Sequence, residues 1–164
     1  SGRGKCSPQD GLCYVAAQLL GGLVAGGFAA YFRAGAKLAT KLVLVPGAGY
    51  NLVEAGFAEM CFTFVLAYVV LAVATTTPPK FSLTRQNFQF ALAIGSCVTA
   101  GGFAVGAMSG GELNPAVALG ITVNSAPKSL SNFAALGMWE LAGGLAASGV
   151  FRMTHPTEFA AAAK

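Results

Sequence analysis

Charged side chains are scarce in this sequence. Asp, Glu, Lys and Arg make up only 10% of its 164 residues, where an ordinary soluble domain carries about 25%. That deficit excludes a normal water-facing surface. With 55% hydrophobic residues and a mean hydropathy of +0.65, the chain reads as one membrane domain. The net charge of +4 comes without a basic patch interleaved with aromatics, so the lysines and arginines are loop residues and no nucleic-acid partner is expected. Cys6, Cys13, Cys61 and Cys97 lack metal-ligand spacing, which argues against a metal centre or a disulfide framework. No nucleophile–base pairing or phosphate-binding loop is present, and the single histidine, His155, lies beyond the apolar runs. An enzyme, a cofactor and a bound metal are therefore not expected. The polar opening SGRGKCSPQDG has no apolar targeting core and reads as the interior of a longer polypeptide.

What is present is a series of apolar runs. Cys13 to Phe32 supplies about the 20 residues that cross a bilayer core of roughly 30 Å. Gly22 and Gly26 smooth one of its faces for close helix packing, and Tyr14 and Tyr31 mark its ends. Gln18 inside it reads as the donor or acceptor of an interhelical hydrogen bond ahead of the alternative, a substrate contact. The second run, Leu52 to Thr77, stops at Pro78-Pro79; the third is Phe88 to Met108; the last is Phe133 to Met153, with Gly143 and Ala147 as its close-packing pair and Glu140, beside Trp139, as its only acid. Arg33 to Asn51, with Arg33, Lys37 and Lys41 spaced by four, reads either as an amphipathic helix along the interface or as a solvated basic loop. Glu59 falls well inside the second run. A carboxylate there costs at least ~3 kcal/mol unless it is protonated or hydrogen-bonded, so it should face the bundle and have partners.

The stretch GAMSGGELNPAVALG, Gly106 to Gly120, breaks this pattern. Asn114 is a good helix N-cap, and Pro115 suits the first helical position because its missing N–H costs nothing there. The helix this starts, Asn114 to about Val123, is too short to span. Between apolar runs, it reads as a half-helix that begins partway through a membrane, where irregular backbone survives only if buried in protein or lining a wet cavity. The expected fold is all-α: a polytopic bundle of four spanning helices plus one re-entrant half-helix. The organisation is a polar segment at 1–12, a transmembrane domain at 13–153 and a tail at 154–164. The basic residues mildly favour both termini on the inner side, with Arg3, Lys5, Lys80, Arg85, Arg152 and Lys164 inside against Arg33, Lys37, Lys41 and Lys128 outside.

These segments, in this order, resemble the major intrinsic protein family, the aquaporins and glycerol channels. SGGELNPAV is similar to the family's Asn-Pro-Ala box, YVAAQLLGG to its third helix, AEMCFTFVLAYVV to its fourth and FALAIGSCVTAGG to its fifth. The likeness runs from Cys13 to Phe151 and covers the third to sixth helices with the second box. The family's first two helices and first box then lie outside this sequence. SGGELNPAVALG is also similar to the first box, and GMWELAGGLAA to a third helix with glutamate in place of glutamine. The preceding YVAAQ and AEMCFTF segments favour the second repeat.

The resemblance implies roles. Asn114, Pro115 and Ala116 stand where the family's box lines its pore and donates hydrogen bonds to single-file water, with the half-helix dipole opposing cations. The family's constriction arginine is replaced by Val117, its fifth-helix histidine by Gly102, and the loop position before the box aligns with Gly111. A pore built this way is wider and less polar at its narrowest point. Glu59 matches the fourth-helix glutamate that braces the loop, and Glu112 gains from the positive end of the half-helix. The implied function is a passive channel for water or small neutral solutes, completed by a further N-terminal part. The alternative is a non-conducting aquaporin-like subunit packed within a larger respiratory or photosynthetic complex. Either is integral to a lipid bilayer, with other membrane subunits or copies of itself as partners.

Overall fold

A computed structural model describes residues 5–35, 43–76, 89–123 and 128–160. Its helices are α1 (Pro8–Gly35), α2 (Leu52–Ala74), α3 (Phe90–Val105), α4 (Pro115–Val123), α5 (Lys128–Thr154) and the single turn α6 (Thr157–Ala160). No strand occurs among the described residues. Three helices are long and apolar enough to cross a membrane: Pro8–Gly35, Leu52–Ala74 and Leu130–Thr154. With the shorter apolar α3 and α4, they form an aquaporin-like helical membrane bundle.

Local chemistry accounts for the helix ends and for the departures from the expected boundaries. α1 starts at Pro8 rather than Cys13, because Ser7 caps it: Ser7 Oγ accepts the Asp10 N–H at 3.0 Å. α2 opens with a reciprocal cap. Asn51 Oδ1 accepts the N–H groups of Val53 and Glu54, and Glu54 Oε2 accepts the Asn51 N–H at 2.9 Å. α3 ends at Val105, short of Met108, because the chain turns into the loop there. Its 16 residues rise about 24 Å, less than a full bilayer core.

α2 and α5 pack side by side. The Trp139 indole lies over Gly56, Gly143 sits against the backbone of Met60 and Phe64, and Tyr68 meets the edge of Phe151 at 6.1 Å. The numbers of these partners rise together, so the two helices run parallel, as the second and fourth spans of an alternating bundle must. α1 leans chiefly on α4, the half-helix. Gly22 lies against the Ala116 carbonyl and Gly26 against that of Gly120, so the smooth face of α1 serves the half-helix rather than another full span. Gln18 does not make the expected interhelical bond: it is exposed and forms no hydrogen bond to a described residue.

Within the Arg33-to-Asn51 segment, α1 continues through Arg33 to Gly35, and residues 43–50 are non-helical and mostly exposed, with Leu44 the buried exception. Leu44 is fully buried with Ala55, Ala118 and Leu136, and its carbonyl accepts the Asn132 side-chain N–H at 2.8 Å. Lys37 and Lys41, the Pro78-Pro79 stop with its basic link, and the loop at 124–127 lie outside the described residues.

A re-entrant loop held by buried carboxylates

Residues 106–114 connect α3 to α4 through three left-handed residues within four positions. Gly110 and Gly111 have φ of 113° and 69°, and Leu113 has φ of 53°. Glycine takes such angles freely; leucine does so only when its surroundings hold it there. Glu59, fully buried on α2, does the holding. Its Oε2 accepts the Leu113 N–H at 2.7 Å and its Oε1 the Glu112 N–H at 3.2 Å, while the Ser109 hydroxyl also donates to Oε1. Ser109 Oγ in turn accepts the Gly111 N–H at 3.2 Å. The Leu113 side chain fills the space beside Gly101 and Phe62, where a Cβ on Gly101 would collide with it. The loop is further tied to residues 43–50 by Gly47, whose N–H donates to the Met108 carbonyl at 2.8 Å.

The half-helix then starts as its sequence dictates. Asn114 Oδ1 accepts the Ala116 N–H at 2.9 Å, and its carbonyl accepts the N–H groups of Val117 and Ala118 at 3.0 and 3.1 Å. Pro115 occupies the first helical position. Between α1 and α4 lies an open groove of about 430 Å³, lined among others by Gln18, Gly22, Gly26, Asn114, Ala116 and Val117. Its walls are largely apolar. Val117 is 47% exposed there.

Gly102 and Gly111 lie side by side, a Cβ on Gly111 reaching 3.1 Å from Gly102 Cα, but neither lines this groove. Among the described residues, no His, Cys, Asp and Glu cluster suited to a metal ion occurs. Two features carried little sequence signal. Ser109 is a buried hydroxyl that mediates between Glu59 and the loop, and the strained angle at Leu113 has no signature in a leucine. Glu140 was conspicuous only as the last span's acid; in the fold it lies beneath the loop, 1% exposed.

A sequence profile of the major intrinsic protein family matches residues 3–125 and, in a second placement, residues 78–163. The chain belongs to the major intrinsic protein family. Its relatives in that family include the aquaglyceroporin of Toxoplasma gondii, 38% identical over 116 residues that cover 71% of this chain and 39% of that protein. Aquaporin TIP2-1 of Arabidopsis thaliana is 37% identical over 120 residues, covering 73% of this chain and 45% of its own. Aquaporin NIP3-1 of Oryza sativa is 32% identical over 145 residues, 84% of this chain and 41% of the relative. The chain thus spans less than half the length of these curated relatives. As a member of an aquaporin family with long apolar helices, it is an integral membrane protein.

Proposed function

We propose that this chain contributes to a passive transmembrane channel for water or small neutral solutes, together with a part of the channel outside this sequence. The observation that carries the reading is the Asn114 half-helix. It starts on a loop braced by buried Glu59 and borders an open groove, with half-buried Asn114 and exposed Val117 on its wall. A half-helix places the positive end of its dipole where a solute passes, which favours neutral polar molecules over cations. Asn114, Ala116 and Val117 line the path, with Pro115 starting the half-helix that carries them; the apolar Val117 keeps the path weakly polar, Gly102 and Gly111 pack against each other away from the groove, and Glu59 braces the loop. The relatives carry channel names, aquaglyceroporin and aquaporin, whereas nothing in the comparisons supports a non-conducting subunit of a larger complex.

The test is light-scattering permeability of liposomes carrying the native full-length polypeptide. Water and glycerol entry should exceed that of protein-free liposomes in proportion to protein content. Entry equal to the protein-free rate, with folded protein present in the bilayer, overturns the reading.

A further inference from the structure

The backbone donors of the loop can be followed one by one. The Gly110 N–H goes to the Gly106 carbonyl at 3.1 Å, the Gly111 N–H to Ser109 Oγ, and those of Glu112 and Leu113 to Glu59. Pro115 has none, and the next three, from Ala116 to Ala118, are taken by Asn114 itself. The N–H of Asn114 is left, closing no hydrogen bond to a described acceptor. A backbone donor in that condition at membrane depth is uncommon.

An acceptor in the same condition stands opposite it. Glu140, on α5, is 1% exposed, and neither of its carboxylate oxygens has a hydrogen-bond partner. α5 passes the start of the half-helix here: a Cβ on Gly137 would come 4.0 Å from Pro115 Cβ, and Glu140 lies about one turn further along the same helix. Its titratable neighbours are acids. Glu59 has both oxygens engaged by the loop, and Glu112 leaves Oε2 unpaired, so neither offers Glu140 a basic partner. Leaving a buried carboxylate unpaired is costly, and such groups are kept where they act.

We propose that Glu140 is a positioning residue for Asn114: its carboxylate accepts the Asn114 N–H, so that α2 holds residues 112 and 113 of the loop while α5 holds residue 114. Closing this bond sets the roll of Asn114 about the start of the half-helix. Because Asn114 Oδ1 is already spent on the Ala116 N–H, the fixed roll presents the remaining carboxamide N–H groups to the groove that Asn114 lines. The consequence for permeation rests on the channel reading above; the hydrogen bond does not.

The experiment uses isotope-labelled full-length protein in lipid, with solid-state NMR of the loop amides in wild type, Glu140→Gln and Glu140→Leu. Glu140→Gln is close to isosteric and replaces a carboxyl oxygen acceptor by an amide oxygen. Its Asn114 amide proton should move upfield while those of Glu112 and Leu113, held by Glu59, stay in place. In Glu140→Leu, exchange of the Asn114 amide with deuterium should rise about tenfold or more, the factor set by losing a hydrogen bond. An Asn114 resonance at its wild-type position in Glu140→Gln, or unchanged exchange in folded Glu140→Leu, overturns the assignment. Solute flux is read on the same proteins. A moved Asn114 resonance with no flux in any of them keeps the hydrogen bond and removes the channel reading; flux reduced in Glu140→Leu and restored in Glu140→Gln supports both.

Discussion

The N–H of Leu113 donates to Glu59 Oε2 at 2.7 Å from a backbone whose φ is 53°. A left-handed leucine costs roughly 1–2 kcal/mol, and two interactions offset it. One is the hydrogen bond to a buried carboxylate on α2; the other is the leucine side chain, 3% exposed, seated in the space that Gly101 leaves on α3. Leu113 therefore joins α2, α3 and α4 at one point, and the start of the half-helix inherits its position from that junction.

Removing the acceptor tests the first interaction. Glu59→Leu strands two backbone N–H groups, each worth about 1–3 kcal/mol when buried without a partner, while the Ser109 hydroxyl keeps the Val105 carbonyl at 3.2 Å as an acceptor. The variant should lose roughly 3 kcal/mol or more of stability in equilibrium unfolding from detergent. Glu59→Gln keeps one carbonyl oxygen as acceptor and should lose clearly less. Equal losses from the two would show that the hydrogen bonds are not what holds the loop.

Altering the leucine and its seat together tests the second. Leu113→Ala should cost about 2–4 kcal/mol through the cavity it opens. Gly101→Ala drives a methyl group into the leucine and should cost about 1–3 kcal/mol. In the double variant the new methyl occupies part of the emptied space, so its cost should fall below the sum of the two by at least ~0.5 kcal/mol. Additive thermal-unfolding values would mean that the two positions do not touch.

Neighbouring glycines on α1 make an internal control for the half-helix packing. A Cβ on Gly26 runs into the carbonyl of Gly120, backbone that cannot swing aside, whereas a Cβ on Gly27 meets nothing within 4 Å. Gly26→Ala should lower stability by about 1–3 kcal/mol and loosen α1 from α4. Gly27→Ala should leave the unfolding midpoint where it is or raise it slightly. Identical behaviour of the two would detach α1 from the half-helix.

Val117 offers the direct probe of the groove. It is 47% exposed and stands on the groove wall, so arginine can be accommodated there without repacking the core. Val117→Arg should leave folding intact and slow glycerol entry into liposomes by narrowing the path and adding a strong donor. Unchanged entry rates with folded protein would remove Val117 from the lining.

Much of the architecture was legible because it depends on local chemistry. Scarce charge and apolar runs of spanning length point to a membrane bundle wherever they occur, and Asn114-Pro115 announces a helix start from the preferences of those two residues alone. Glu59 could be singled out as an acid needing partners, since the cost of a bare carboxylate at membrane depth does not depend on the fold. What served those needs was not legible. Nothing in the sequence says that Leu113, rather than a glycine, takes the left-handed angle, or that Ser109 relays between Glu59 and the glycines.

The sequence by itself determined the kind of protein this is: an all-helical membrane chain of the major intrinsic protein family, with its spans in order and one helix too short to cross. Tertiary structure decided the partnerships. It placed the glycine face of α1 on the half-helix instead of a full span, drew Leu44 from a basic connection into the core, and set Glu59 against the N–H groups of Glu112 and Leu113. Propensity and hydropathy act over a few neighbouring residues and can be read along the chain. Which carbonyl a glycine meets, and which donor a buried acid faces, depends on segments far apart in sequence that packing alone brings together.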